Sequence, residues 1–254
     1  YPLAETIYMR AMMKRAARRS VMAFADSDYT RRDALKFFEI SEHKIKTCYQ
    51  DCSPIFSPDI DGERKKSVRD NYVLPEHFIF SPVSLSPRKN LGRVLEAFGM
   101  ILDKIPHHLV VTGGQGHEWK KIVDRVNTEF SQRVKILGHV ASADMPALYA
   151  LSEFTLYPSL LEGFGMPVLE AFRSGSPLLT SNVTSIPEVA GDAAHYVNPY
   201  SVGDIAEGML ELATNEKLRA QLVEKGYEQA EKFSWDKTAR RILDSFDQYE
   251  SQRN

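Results

Sequence analysis

Tyr157-Pro158-Ser159-Leu160-Leu161-Glu162-Gly163-Phe164-Gly165-Met166-Pro167-Val168-Leu169-Glu170 is the stretch whose reading decides the fold of this 254-residue chain. An apolar strand, Phe154 to Tyr157, runs into a glycine-bearing loop, and the loop runs into a helix. Pro167 suits the first helical position, because its missing N–H would have no partner there. Gly175 ends the helix after about two turns. Gly163 and Gly165 allow backbone amides to come close to a ligand, and the helix N-terminus offers partial positive charge to an anion. Two carboxylates, Glu162 and Glu170, frame the loop. Backbone that can hold a phosphate, flanked by carboxylates that can hold hydroxyls, describes a site for a phosphorylated, hydroxyl-bearing ligand.

Outward from this stretch, strand and helix alternate. Phe78–Phe80, Leu109–Thr112, Val134–Gly138, Phe154–Tyr157, Pro177–Thr180 and His195–Val197 read as strands. Helices are expected over 90–101, 118–130, 144–151, 201–213, 216–233 and 236–249. Repeated strand-then-helix predicts an α/β fold, a Rossmann-like parallel sheet with helices on both faces. In such a sheet ligands bind beyond the C-terminal strand ends. Arg88 and Lys89 follow the first of these strands, where they could meet a diphosphate or be ordinary surface cations. Gly113-Gly114-Gln115-Gly116 lacks the spacing and following acid of a dinucleotide fingerprint, which argues against a nicotinamide dehydrogenase. Hydrophobic content of 43% and charged content of 26% are those of an ordinary globular protein, and a net charge of −2 gives no reason to expect nucleic acid. Cys48 and Cys52 form neither a disulfide framework nor a complete zinc site, which favours a reducing, cytoplasmic setting. No apolar run is long enough to span a bilayer.

Glu162 and Glu170, with Gly-Phe-Gly-Met-Pro between them, resemble the E-x7-E motif of the retaining, nucleotide-sugar-dependent glycosyltransferase family 4, whose fold is GT-B. Ser86-Pro87-Arg88-Lys89-Asn90-Leu91, Ile186-Pro187-Glu188-Val189-Ala190-Gly191 and Phe233-Ser234-Trp235 carry the likeness from about Phe24 to Trp235. The resemblance implies that Glu162 contacts donor-sugar hydroxyls and Glu170 the ribose hydroxyls. It further implies that the amides of Phe164, Gly165 and Met166 hold sugar and phosphate, and that Arg88 and Lys89 neutralise the diphosphate. Val140 and Met145 would lie beside the base, although either could equally be core. The family has glycine where Val83 stands here, so a side chain crowds that phosphate loop. The implied reaction is front-face transfer without a metal cofactor, and the likeness to bacterial polysaccharide enzymes points to GDP-mannose as donor.

Residues 1–57 read as the end of an acceptor domain plus linker, 58–235 as the donor-binding domain and 236–254 as a C-terminal helix. The chain therefore reads as the C-terminal portion of a longer GT-B enzyme, with a remnant of the N-terminal domain. Residues 4–20 are expected to form a basic helix carrying Arg10, Lys14, Arg15, Arg18 and Arg19. Such a helix could face a missing domain or anionic headgroups, which would suit a lipid-linked acceptor and peripheral membrane association. Asp26-Ser27-Asp28 and Asp59-Ile60-Asp61 spell D-x-D, but are read as a helix cap and a turn. His195 is read as structural. A second reading stays open: a non-catalytic nucleotide-sugar-binding subunit that needs a separate acceptor-binding partner.

Overall fold

The computed structural model describes residues 3–83, 86–113 and 119–251. In chain order the elements are α1 (Leu3–Arg19), β1 (Ala23–Ala25), α2 (Asp28–Phe38), β2 (Ile45–Thr47), α3 (Gly62–Asn71), β3 (Phe78–Pro82) and α4 (Leu91–Ile101). Then follow β4 (His108–Thr112), α5 (Trp119–Glu129), β5 (Val134–Gly138), α6 (Met145–Leu151), β6 (Phe154–Tyr157) and α7 (Met166–Arg173). The chain ends with β7 (Leu178–Ser181), α8 (Ile186–Ala190), β8 (His195–Val197), α9 (Val202–Thr214), α10 (Glu216–Ala230) and α11 (Trp235–Ser251). Two compact units form: Cys52–Lys232, and Tyr1–Asp51 together with Phe233–Asn254.

The larger unit is built on six strands, all parallel, in the order β5-β4-β3-β6-β7-β8. Its central strands read as unbroken apolar runs because both faces are covered. Phe78, Ile79 and Phe80 of β3 and Phe154, Leu156 and Tyr157 of β6 are fully buried. On α4, Leu91, Val94, Leu95, Phe98 and Ile101 recur at helical spacing and are all buried. That helix packs on α9, while α7 packs on α6, α8 and α10. Strand order reverses between β3 and β6, so the loops after these two strands diverge from a topological switch point.

In the smaller unit, β1 and β2 pair in parallel, and Ala25, Ile40 and Ile45 form a small core. Phe24 packs edge-on against Phe246 of α11 at 6.0 Å, and Tyr49 against Phe233 at 5.6 Å. Ser27 caps α2 by accepting from the Thr30 amide. Glu39 accepts from Lys14 and Arg18 of α1, and those two cations hold its carboxyl down at about 2. Two of the five basic residues of α1 named above, Lys14 and Arg18, are thus paired within their own unit.

Several boundaries differ from the sequence expectations. The apolar run Val21–Ala25 reads as a strand, but pairing of β1 starts at Ala23 and Val21 is exposed. Helix α7 begins at Met166, which puts Pro167 second, where a missing N–H is equally harmless. Helix α10 ends at Ala230, before Phe233. Helix α3 was not expected at all: its sequence Gly-Glu-Arg-Lys-Lys-Ser-Val-Arg-Asp-Asn buries only Val68, so no apolar stripe betrays it. Asp61, expected in a turn, is its N-cap. The expected turn at Gly114–Gly116 and the helix start at Glu118 lie outside the described residues. No helix among the described residues is long and apolar enough to cross a membrane.

Candidate functional site

Glu162 is the hub of the switch point. It leaves the loop after β6 and is only 8% exposed, in a molecule where burying a lone carboxylate would be prohibitive. Two cations from the loop after β3 answer it. Arg88 donates to Oε2 at 2.9 Å and Lys89 donates to Oε1 at 2.7 Å. Lys89 is itself buried, and its ammonium also donates at 2.6 Å to the Tyr157 hydroxyl and lies 4.7 Å from that ring's centre. Ser159 Oγ sits within hydrogen-bonding distance of both Glu162 Oε1 and the Arg88 carbonyl, so its one proton bridges the two loops. Burial acts to raise the Glu162 carboxyl, but the Lys89 charge and the hydrogen bonds from Lys89, Ser159 and Tyr157 outweigh it and hold it below its ordinary value. Burial pulls the Lys89 ammonium down, against the attraction of Glu162. Of the three charges, Arg88 has its side chain half exposed and is the one most open to a solvent-borne anion.

Backbone anchors fix this geometry. The Leu160 amide donates to the Arg88 carbonyl at 2.8 Å. Asn90, with φ at +66°, donates its two amide protons to the Pro158 and Pro199 carbonyls, at 3.1 and 2.7 Å. One side chain thereby ties together the loops after β3, β6 and β8. Ser185 Oγ lies 3.0 Å from the carbonyls of both Glu162 and Phe164. The Phe164 side chain is 3% exposed and belongs to the core, whereas Met166 is 40% exposed. Gly165 sits at φ +101°, and a Cβ there would fall 2.7 Å from Ile186 Cδ1. Gly165→Ala is therefore expected to destabilise the protein by about 1–3 kcal/mol through backbone strain and overlap. Urea denaturation checks it; an unchanged midpoint would show that the loop has another conformation available.

Glu170 stands about one turn into α7, four residues on from Met166, and faces a different neighbourhood. Its Oε2 accepts a 2.6 Å hydrogen bond from the hydroxyl of Tyr149, a fully buried residue of α6. Burial pushes the Glu170 carboxyl above the usual range, while the Tyr149 bond and the nearby Lys89 charge work the other way. Glu170 also lines a cleft of about 200 Å³ with Pro82, Val83, Thr112, Gly113, His139, Val140 and Met145. The residues expected beside a base and a ribose thus share one cavity, with the Val83 side chain in its wall. Glu162, Arg88 and Lys89 cluster at the neighbouring loop. Tyr149, Tyr157, Ser159 and Asn90 were not foreseen as site residues, although Tyr157 and Ser159 lie within the deciding stretch. His195 is on β8, its Nε2 3.8 Å from Glu211, away from both groups.

Known proteins resemble this chain in sequence and in fold. The sequence profile described as "Glycosyl transferases group 1" matches residues 64–229, which includes every residue of the two groups. The chain is 28% identical over 252 residues to O-antigen chain mannosyltransferase B of Escherichia coli, covering 97% of this chain and 65% of that protein. It is 30% identical over 229 residues to the serotype-specific mannosyltransferase WbdA of Escherichia coli, covering 88% of this chain and 28% of that one. The chain therefore spans less than two thirds of these curated relatives. A glycosyltransferase structure from Rickettsia africae superposes with a TM-score of 0.81 at 17% identity, covering 98% of this chain and 68% of that one. Anabaena HepE, solved with UDP and glucose, superposes with a TM-score of 0.80 at 17% identity, covering 94% of this chain and 66% of that one. These likenesses show the fold, a parallel-sheet α/β arrangement that matches GT-B glycosyltransferases.

Proposed function

The chain belongs to the glycosyl transferases group 1 family, and from that premise we propose that residues 52–232 bind a nucleoside-diphosphate sugar for retaining transfer to a glycan or lipid-linked acceptor. GDP-mannose is the favoured donor, because the curated relatives named above are described as mannosyltransferases. The base lies in the cleft beside Val140 and Met145. Glu170 accepts the ribose hydroxyls, the amides of Phe164, Gly165 and Met166 meet sugar and phosphate, and Glu162 contacts the sugar. Arg88 and Lys89 stabilise the diphosphate as it leaves the anomeric carbon, by fixed charge and without a metal. The Glu162–Arg88–Lys89 cluster carries this reading: two cations and a carboxylate, mutually paired, at the switch point where a parallel sheet binds ligands. A diphosphate arriving there competes with Glu162 for the cations and frees the carboxylate to accept sugar hydroxyls. The acceptor arrives from elsewhere in the full enzyme, and membrane association through the basic helix α1 belongs to the same proposal.

Donor turnover tests it. Incubated with GDP-mannose, the chain is expected to release mannose slowly, with the α anomer seen first by proton NMR, and Glu162→Gln is expected to suppress that release. First appearance of the β anomer would refute retention. UDP-glucose turned over in preference would refute the choice of donor.

A further inference from the structure

Tyr149 has a role that its burial disguises. It is fully enclosed, with its ring edge-on to Phe80 at 5.0 Å and to Phe56 at 5.8 Å, and packing alone would account for a phenylalanine there. A buried phenol must also satisfy its hydroxyl, and here the partner is an ionisable carboxylate. Among the described residues, the hydroxyl of Tyr149 is the hydrogen-bond partner of the Glu170 side chain, at 2.6 Å on Oε2. Resting on the nucleotide-binding reading above, we propose that Tyr149 is a positioning residue of that site: it claims one oxygen of Glu170 and orients the carboxylate for the two ribose hydroxyls.

The chemistry follows from lone pairs. An ionised carboxylate has about four acceptor positions, and Tyr149 takes one of them, so rotation about the last Glu170 torsion is arrested. The remaining positions are those that a cis-diol would use. The hydroxyl acts second as a donor to the charged form, which favours an ionisation that burial opposes. Lys89, from the loop after β3, assists with its charge. Other titratable groups stand close by: Glu170 and Tyr157 of β6 interact electrically, as do Tyr149 and Cys52, while Glu162 bonds to Lys89. His139 lines the same cleft. Charge on the diphosphate also varies with pH, so a bare affinity profile would mix these contributions.

The test therefore reads a ratio. Affinities of GDP and UDP are measured by calorimetry in parallel with their 2′,3′-dideoxy forms, across mildly acidic to mildly alkaline pH. The dideoxy-to-ribose ratio of dissociation constants cancels the diphosphate and isolates the ribose contact. In wild type that ratio is expected to exceed unity by tenfold or more at neutral pH (~1.4 kcal/mol) and to fall on acidification. Tyr149→Phe is expected to lower the neutral ratio and move its midpoint to higher pH, leaving dideoxy affinity unchanged. Should that variant not fold, 3-fluorotyrosine at position 149, a stronger donor of similar shape, is expected to move the midpoint to lower pH. If wild type binds neither nucleotide, or Glu170→Gln keeps the wild-type ratio, the nucleotide reading falls and takes this inference with it. If Glu170→Gln loses the ratio while both Tyr149 replacements keep the wild-type profile, the inference alone is overturned.

Discussion

Replacing Glu162 with alanine is expected to destabilise the ligand-free protein by about 3–5 kcal/mol, the loss that follows when one partner of a buried ion pair is removed. Lys89 is largely shut off from water: its side chain is 10% exposed, enclosed by Tyr157 and the carboxylate. Without Glu162 the ammonium keeps only the phenol, which cannot supply a compensating charge. Glu162→Gln retains an acceptor and should cost less, and adding Lys89→Met to it should recover much of the remainder. Folded-state ionisation of Glu162 lies below its ordinary 4.5, so its contribution is fully present above that pH and is lost as pH falls through the folded value. Wild type and Glu162→Gln should accordingly converge in acid. Equal urea midpoints for wild type and Glu162→Ala near neutral pH would show that the pair is not buried as described.

Glu170→Gln is expected to act in the opposite direction on stability and to weaken nucleotide binding strongly. Burial raises the carboxyl above its ordinary 4.5, so the charged form is the one the fold disfavours. Stability associated with this group is present at low pH and is lost as pH rises from 4.5 through the folded value. Glutamine removes that cost while still accepting from Tyr149, so the ligand-free melting temperature should hold or rise. In the proposed site the same change replaces two charge-assisted hydrogen bonds, each about 1.5–3 kcal/mol, and affinity for a nucleoside diphosphate should fall by roughly a hundredfold or more. A group that strains the free protein and strengthens the complex is what a binding site costs a fold. A lower melting temperature with unchanged affinity would mean that Glu170 is structural.

Much of this architecture is legible in the sequence. Six apolar strand runs alternate with amphipathic helices such as α4, and that pattern survives because parallel strands are covered on both faces. Glu162, Arg88 and Lys89 were visible as chemistry-bearing residues at strand ends. Their mutual pairing was not, because sequence does not say which loops meet until strand order is known. Tyr149 and Tyr157 were missed for a related reason. A tyrosine in an apolar run reads as core, and both rings are indeed core; only the direction of the hydroxyl reveals the carboxylate beyond it. From sequence, Asn90 reads as a helix start within the Ser86–Leu91 motif, with no role of its own. Its αL backbone and its bonds to Pro158 and Pro199 exist only in the assembled sheet. Helix α3 escaped because a helix that buries one residue has no periodicity to read.

Thermal unfolding with GDP, UDP and ADP, each with and without a chelator, tests the central claim most directly. Ligand at about a hundred times its dissociation constant adds roughly 2.7 kcal/mol to a folded state that binds it. The account predicts that one of the three raises the melting temperature, that the chelator leaves the rise intact, and that Glu170→Ala eliminates it. No rise with any nucleotide, or a rise that Glu170→Ala retains, would contradict it.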